Sequence, residues 1–200
     1  MKLLVISDTH GHIERAVRLL PLFTDLDAIV HLGDYQRDAD QLQKQTDIQV
    51  IAVGGNGDGV FSKSAAIKTI DSPFGPIVIT HGHLHGVRKG IDRLLYQAAE
   101  SEAKAVLFGH THTPFYGVFD GISLVNPGSL SFPTQHNQGT YAVLTIDETG
   151  ISCAIVNYQD PPTPLPPQKP PGQEPPRDKT RKKKETGGFL RDILNNSDRF

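Results

Sequence analysis

Five short aliphatic runs in this chain each stop abruptly at residues that bind metals or protons. KLLVIS (2–7) meets DTHGH, AIVHLG (28–33) meets DY, and QVIAVG (49–54) meets GNGD. PIVITHG (76–82) leads into HLH, and AVLFG (105–109) into HTHT. Runs of β-branched and aliphatic residues bounded by Gly, Asp or Pro read as buried strands. A polar group at the end of such a strand costs several kcal/mol unless a partner satisfies it. The fold must therefore bring these strand ends to a place where they satisfy one another, or a ligand.

Helical patterns separate the early runs. Residues 13–23 set Ala16, Val17, Leu19 and Leu20 among Glu14, Arg15 and Arg18, and residues 90–102 contain IDRLLYQAAE. Strands alternating with helices argue for an α/β domain. The later runs ISLVN (122–126), YAVLTI (141–146) and ISCAIVN (151–157) lack helices between them and are joined by turns such as DETG. They read as an antiparallel meander. The expected product is a mixed sheet, or two packed sheets, flanked by helices.

Composition matters chiefly because it changes near residue 158. Nine of the 15 prolines lie between Pro161 and Pro176. Residues 1–158 carry a net charge of −5 and all nine histidines, while residues 159–200 carry +3. The acidic front part does not read as a general nucleic-acid binder. Residues 159–188, Pro-rich and then basic (RKKK, 181–184), are expected to form a disordered, polyproline-like linker. Residues 189–200 space Phe189, Leu190, Ile193 and Leu194 on one face of a short amphipathic helix. That tail could dock on a protein partner, and its basic run could instead meet an acidic surface such as nucleic acid or lipid. The single cysteine, Cys153, allows no disulfide within the chain. No signal-type or membrane-length apolar segment is present, so a cytoplasmic location is expected.

The candidate ligands are Asp8, His10, Asp34, Asn56, His81, His110 and His112. Each has a local alternative: Asp8 and His10 could make a turn and a cap, Gly33-Asp34 a turn, and Asn56 a left-handed kink. THGHLH could be a solvated loop. Those alternatives would have to hold independently at five strand ends. Two carboxylates, four imidazoles and one amide carbonyl suit Mn, Fe, Co, Ni or Zn in a reactive site; a structural zinc would use thiolates. Seven ligands exceed the needs of one ion. Two ions sharing a carboxylate, roughly 3.5–4 Å apart as in hydrolytic two-metal sites, account for the number.

D-x-H at Asp8–His10, GD at Gly33–Asp34, GN at Gly55–Asn56, THGH at His81 and GHTH at Gly109–His112 occur in that order over residues 1–158. With NPGS at 126–129, they resemble the calcineurin-like metallophosphoesterase superfamily, in the short form of its bacterial and archaeal phosphodiesterases. The resemblance implies a four-layer αββα sandwich of two mixed sheets flanked by helices. It implies that Asp8, His10 and His112 hold one ion, that Asn56, His81 and His110 hold a second, and that Asp34 bridges them. Manganese is favoured over nickel, iron, cobalt or zinc. A bridging hydroxide would attack phosphorus in line. Gly109 is expected to allow a sharp turn, and Pro114 to end the excursion.

One position departs from the family pattern. Many members carry a histidine directly after the GN asparagine, as proton donor to the leaving group, and here Gly57 stands there. His83 is the expected substitute, with His12 and His85 as alternatives, beside Asp34 and Asn56 in the catalytic set. The expected function is phosphoester hydrolysis, phosphodiesters before monoesters. The rival is a non-catalytic scaffold that kept the fold, as in the superfamily's retromer subunit. Removal of residues 159–200 is expected to leave turnover of a small phosphodiester unchanged within about twofold, as steady-state kinetics on the truncated chain would show.

Overall fold

The computed structural model describes residues 1–59, 64–133 and 138–163. The basic part of the expected linker and the amphipathic end segment lie outside the described residues.

The strands form two five-stranded sheets. The first contains β1 (Lys2–Ile6), β2 (Ala28–His31), β3 (Val50–Ala52), β9 (Thr140–Asp147) and β10 (Gly150–Asn157), in the order β10-β9-β1-β2-β3. The second contains β4 (Ile67–Ile70), β5 (Ile77–Thr80), β6 (Ala105–Phe108), β7 (Phe115–Phe119) and β8 (Ile122–Asn126), in the order β4-β5-β6-β8-β7. Both are mixed. β1, β2 and β3 run parallel, with β9 antiparallel to β1 and β10 to β9. β5, β6 and β8 run parallel, with β4 and β7 added antiparallel at the edges.

Strand alternation generates the layers. On β1, Leu3 and Val5 point into an apolar space shared with Ile77 and Ile79 of β5 and Leu107 of β6. Leu4 and Ile6 point the other way, against Ala16 and Leu19 of helix α1 (Glu14–Leu19) and Leu42 of α2 (Gln36–Gln43). On the second sheet, Val78, Val106 and Phe108 turn outward onto Leu94 and Ala98 of α3 (Asp92–Glu100). Three apolar interfaces stacked in this way make a four-layer αββα sandwich. Both faces of β1, β2, β5 and β6 are covered, so their runs are continuously apolar rather than alternating.

Three elements carry little sequence signal. β4 is an edge strand with Ile67, Lys68 and Thr69 exposed, so no buried face marks it. β7 is also an edge strand, interrupted by Gly117. Helix α2 (QRDADQLQ) buries Asp38, Ala39 and Leu42, too few apolar residues to show a stripe. Leu107→Ala, in the space between the sheets, is expected to cost about 2–5 kcal/mol in urea unfolding. Val118→Ala, on the exposed strand β7, should stay within about 0.5 kcal/mol.

Candidate metal centre

The parallel strands deliver their carboxyl ends to one rim, and the loops leaving them carry the polar residues. Asp8 and His10 follow β1, Asp34 follows β2, Asn56 follows β3, His81 follows β5, and His110 and His112 follow β6. Parallel pairing puts these ends side by side, and packing of the two sheets brings the two sets face to face. The Gly109 N–H donates to the His81 carbonyl at 3.1 Å, and the His110 N–H reaches across to Asp8 Oδ2 at 3.1 Å.

The backbone is strained where the candidate ligands project. Seven described non-glycine residues have positive φ, and five are Asp8 (53°), His10 (49°), Asp34 (80°), His110 (69°) and His112 (59°). Such conformations cost about 1–3 kcal/mol each and persist only where the surroundings enforce them.

At the centre, atoms with lone pairs face one another. His81 Nδ1 donates to the Leu32 carbonyl at 2.7 Å, and His112 Nδ1 donates to the Phe132 carbonyl at 2.8 Å. Each ring thereby turns an unprotonated Nε2 inward. His112 Nε2 meets Asp8 Oδ1 at 3.3 Å and His10 Nε2 at 3.1 Å. His81 Nε2 meets Asn56 Oδ1 at 2.9 Å and Asp8 Oδ1 at 4.0 Å. His10 Nδ1 lies 2.7 Å from Asp34 Oδ2. Asp8 Oδ1 and Asp34 Oδ2 are buried and have no hydrogen-bond partner. A cation, a proton or a bound water donating to these oxygens would reconcile such a set.

Titration shifts follow from the crowding. Burial would raise the Asp8 carboxyl, but His112, His81 and the Ser7 hydroxyl outweigh it, and the group sits below its ordinary value. His112 moves up, first through its close contact with the Asp8 carboxylate. Burial raises Asp34, with His10 opposing. His110 is pushed down to about 4 by burial, then by His81 and Arg88, and so stays a neutral donor.

The side chains gather into two groups, Asp8–His10–His112 and Asp8–Asp34–His81, whose ligand atoms lie within 4.8 Å of one another. Asp8 is common to both. Asp34, expected as the bridge, belongs to the second and touches His10 of the first. Asn56 adjoins His81. His110 stands at the margin, its ring 5.1 Å from that of His81. His83 is next, 5.3 Å from His81 and 6.2 Å from His110, with its Nδ1 buried and unpartnered. His12 lies against Phe132, and His85 is buried with Nδ1 3.4 Å from Thr80 Oγ1.

Two glycines have specific reasons. A Cβ at Gly109 would collide with Ser7 Oγ and come 2.9 Å from Asp8 Oδ2, so the need is close approach rather than a sharp turn. A Cβ at Gly57 would lie 2.5 Å from Tyr35 Cε1 and 2.8 Å from the Asp34 carbonyl. The Tyr35 ring, edge-on to His10 at 6.2 Å and beneath the Arg37 guanidinium at 4.5 Å, covers that turn.

Sequence reasoning missed a supporting network. His31 is fully buried at the end of β2; its Nδ1 accepts the Gly33 N–H at 3.2 Å and its Nε2–H donates to Thr9 Oγ1 at 3.0 Å. Thr9 donates to Asp38 Oδ2 at 2.6 Å, which also accepts the Gly11 N–H at 2.7 Å. This chain ties the Asp8–His10 loop to the Asp34 loop. A histidine inside an otherwise apolar run was the available signal for His31; Asp38 had none. From the far side, Asn126 Nδ2 holds the Gly109 carbonyl and Thr111 Oγ1, both at 3.0 Å, and Ser129 Oγ donates to the Asp8 carbonyl at 2.7 Å.

Comparison with known proteins agrees with the fold. Residues 1–149 match the Calcineurin-like phosphoesterase superfamily domain. The chain is 32% identical over 164 residues to a probable metallophosphoesterase, YsnB, of Bacillus subtilis, covering 80% of this chain and 91% of that protein. It is 29% identical over 175 residues to the phosphodiesterase YfcE of Escherichia coli K12, covering 76% and 91%. A zinc complex of Vps29 from Entamoeba histolytica superposes with a TM-score of 0.63 at 18% identity, covering 78% and 99%, a likeness of fold.

His31 supplies a pH test. Burial, opposed by Asp38 and Asp8, lowers it to about 4, so the folded protein holds it neutral. The unfolded chain takes up that proton below about 6.5. The His31 contribution to stability is therefore intact above pH 6.5 and is lost as pH falls towards 4, by about 3 kcal/mol in total. Urea unfolding of metal-free protein between pH 7.5 and 4.5 should show this loss, and His31→Gln should remove its share of the slope.

Proposed function

The chain belongs to the calcineurin-like phosphoesterase superfamily, and on that premise we propose that it is a metal-dependent phosphodiesterase with a dinuclear centre. The observation that carries this reading is the inward convergence of Asp8, Asp34, His81 and His112 lone pairs with two carboxylate oxygens left unsatisfied. Family membership and the donor set both fit divalent transition metals. Asp8, His10 and His112 would hold one ion, and Asn56, His81 and His110 the other, with Asp34 between them. Manganese is our first choice for these borderline donors. Two such ions would lower the pKa of the water they share and neutralise charge on the phosphoryl oxygens.

The remaining roles belong to the chain. The Leu32 and Phe132 carbonyls fix the tautomers of His81 and His112. The strained loops, held by the Thr9–Asp38 and Asn126–Ser129 contacts, keep the donors from collapsing together or swinging out. His83 projects beside His81 and would hold the proton that the leaving oxygen takes from its ring nitrogen. Burial, His81 and His85 lower its pKa, so its charged, proton-donating form gains as pH falls below neutral. A phosphodiester has one negative charge to place at the centre and a leaving alcohol that needs that proton.

The scaffold reading draws on the Vps29 likeness. The enzyme reading is preferred because every candidate ligand position is filled and six of the seven side chains meet at the rim. Purified protein loaded with Mn should hydrolyse bis(4-nitrophenyl) phosphate and hold close to two ions per chain by mass spectrometry. Asp34→Asn and His110→Ala should fall to the rate of metal-free protein. His83→Gln should lose about 10²–10⁴-fold on a diester with an alkyl leaving group, and far less on the nitrophenyl ester. Metal-loaded wild type without phosphodiester or phosphomonoester turnover would sink the reading.

A further inference from the structure

The segment after β5 is basic, against the trend of its domain. Residues 1–158 carry a net −5, yet Arg88, Lys89 and Arg93 fall within six positions. Lys89 and Arg93 stand in the wall of a cavity of about 430 Å³, formed with His83, His85 and Asp92, and with Gly86 and Gly90 between them. That volume lies within the range of small-molecule sites. A Cβ at Gly86 would meet nothing within 4 Å, so the wall is open there.

The cations are unneutralised. Among the described residues, no carboxylate lies within 4.0 Å of the Lys89 or Arg93 charged groups, and Asp92 is the one acid in the wall. Arg88 leans the other way and donates to the His110 carbonyl at 3.3 Å, at the edge of the candidate metal centre. His83 joins the two places: it lines the cavity, and its ring stands 5.3 Å from His81. Cations facing a shared cavity repel one another, and an incoming anion relieves that repulsion while gaining charge-assisted hydrogen bonds. An anion there would lie on the His83 side of the centre, where the leaving alcohol departs.

We propose that this cavity is a subsite for a second anionic group, a terminal phosphate, on phosphodiester substrates of the neighbouring centre. The inference rests on the phosphodiesterase reading for its catalytic consequence but not for binding. A diester whose leaving nucleoside carries its own phosphate engages Lys89 and Arg93, whereas an aryl diester leaves them idle.

The probes are the dinucleotide TpT, its phosphorylated form pTpT, and bis(4-nitrophenyl) phosphate. Because the phosphate can sit on either half of the dinucleotide, TpTp is run alongside pTpT. Wild type should show a KM about tenfold lower for one phosphorylated dinucleotide than for TpT, the size of a single good charge-assisted contact. In Lys89→Gln/Arg93→Gln the difference should vanish, with kcat and KM on the nitrophenyl ester unchanged. Equal KM values in wild type, or a preference that survives in the variant, would overturn the subsite. If wild type hydrolyses no diester, the phosphodiesterase reading fails, and calorimetric titration of metal-free protein decides the subsite alone. Tighter binding of a phosphorylated dinucleotide, lost in the variant, supports it; equal affinity for TpT and both phosphorylated forms overturns it.

Discussion

Electron pairs with nowhere to go organise this molecule. Asp8, Asp34, His81 and His112 are pressed together at the junction of two sheets, each ring committed to a backbone carbonyl on its outer side. The same few cubic ångströms explain the left-handed backbone at five candidate ligands, the glycine at 109 and the opposite shifts of Asp8 and His112. The apolar space between the sheets supplies the force that holds so unfavourable a gathering in place.

The strands that carry the centre were legible because they are buried on both faces. KLLVIS, AIVHLG and AVLFG read as strands with no partner in view, and the candidate ligands stand out because each follows its strand within a few residues. β4 and β7 were not legible, because an edge strand with one wet face and a glycine or lysine inside it has little hydrophobic signature. Helix α2 was missed for a related reason: its buried face is part Asp38, whose purpose becomes visible only when Thr9 and Gly11 arrive from elsewhere in the chain. Local sequence reports what a residue is next to, and a supporting network consists of residues that are not next to each other.

That network divides the labour around the centre. On one side His31, Thr9 and Asp38 form a directed line of hydrogen bonds in which each donor has one possible acceptor. On the other, Asn126 and Ser129 clasp the loops after β6 and β1. Strain at the ligands is thus balanced by polar contacts that are individually ordinary, worth about 0.5–1.5 kcal/mol each, and effective because they act on loops with few other anchors.

Position 57 is closed to a side chain from two directions at once. Its first carbon would overlap the Tyr35 ring edge on one side and crowd the Asp34 backbone carbonyl on the other. A small residue at 35 would remove the first obstacle and leave the second, which is backbone, so a histidine at 57 also needs the loop after β2 to move.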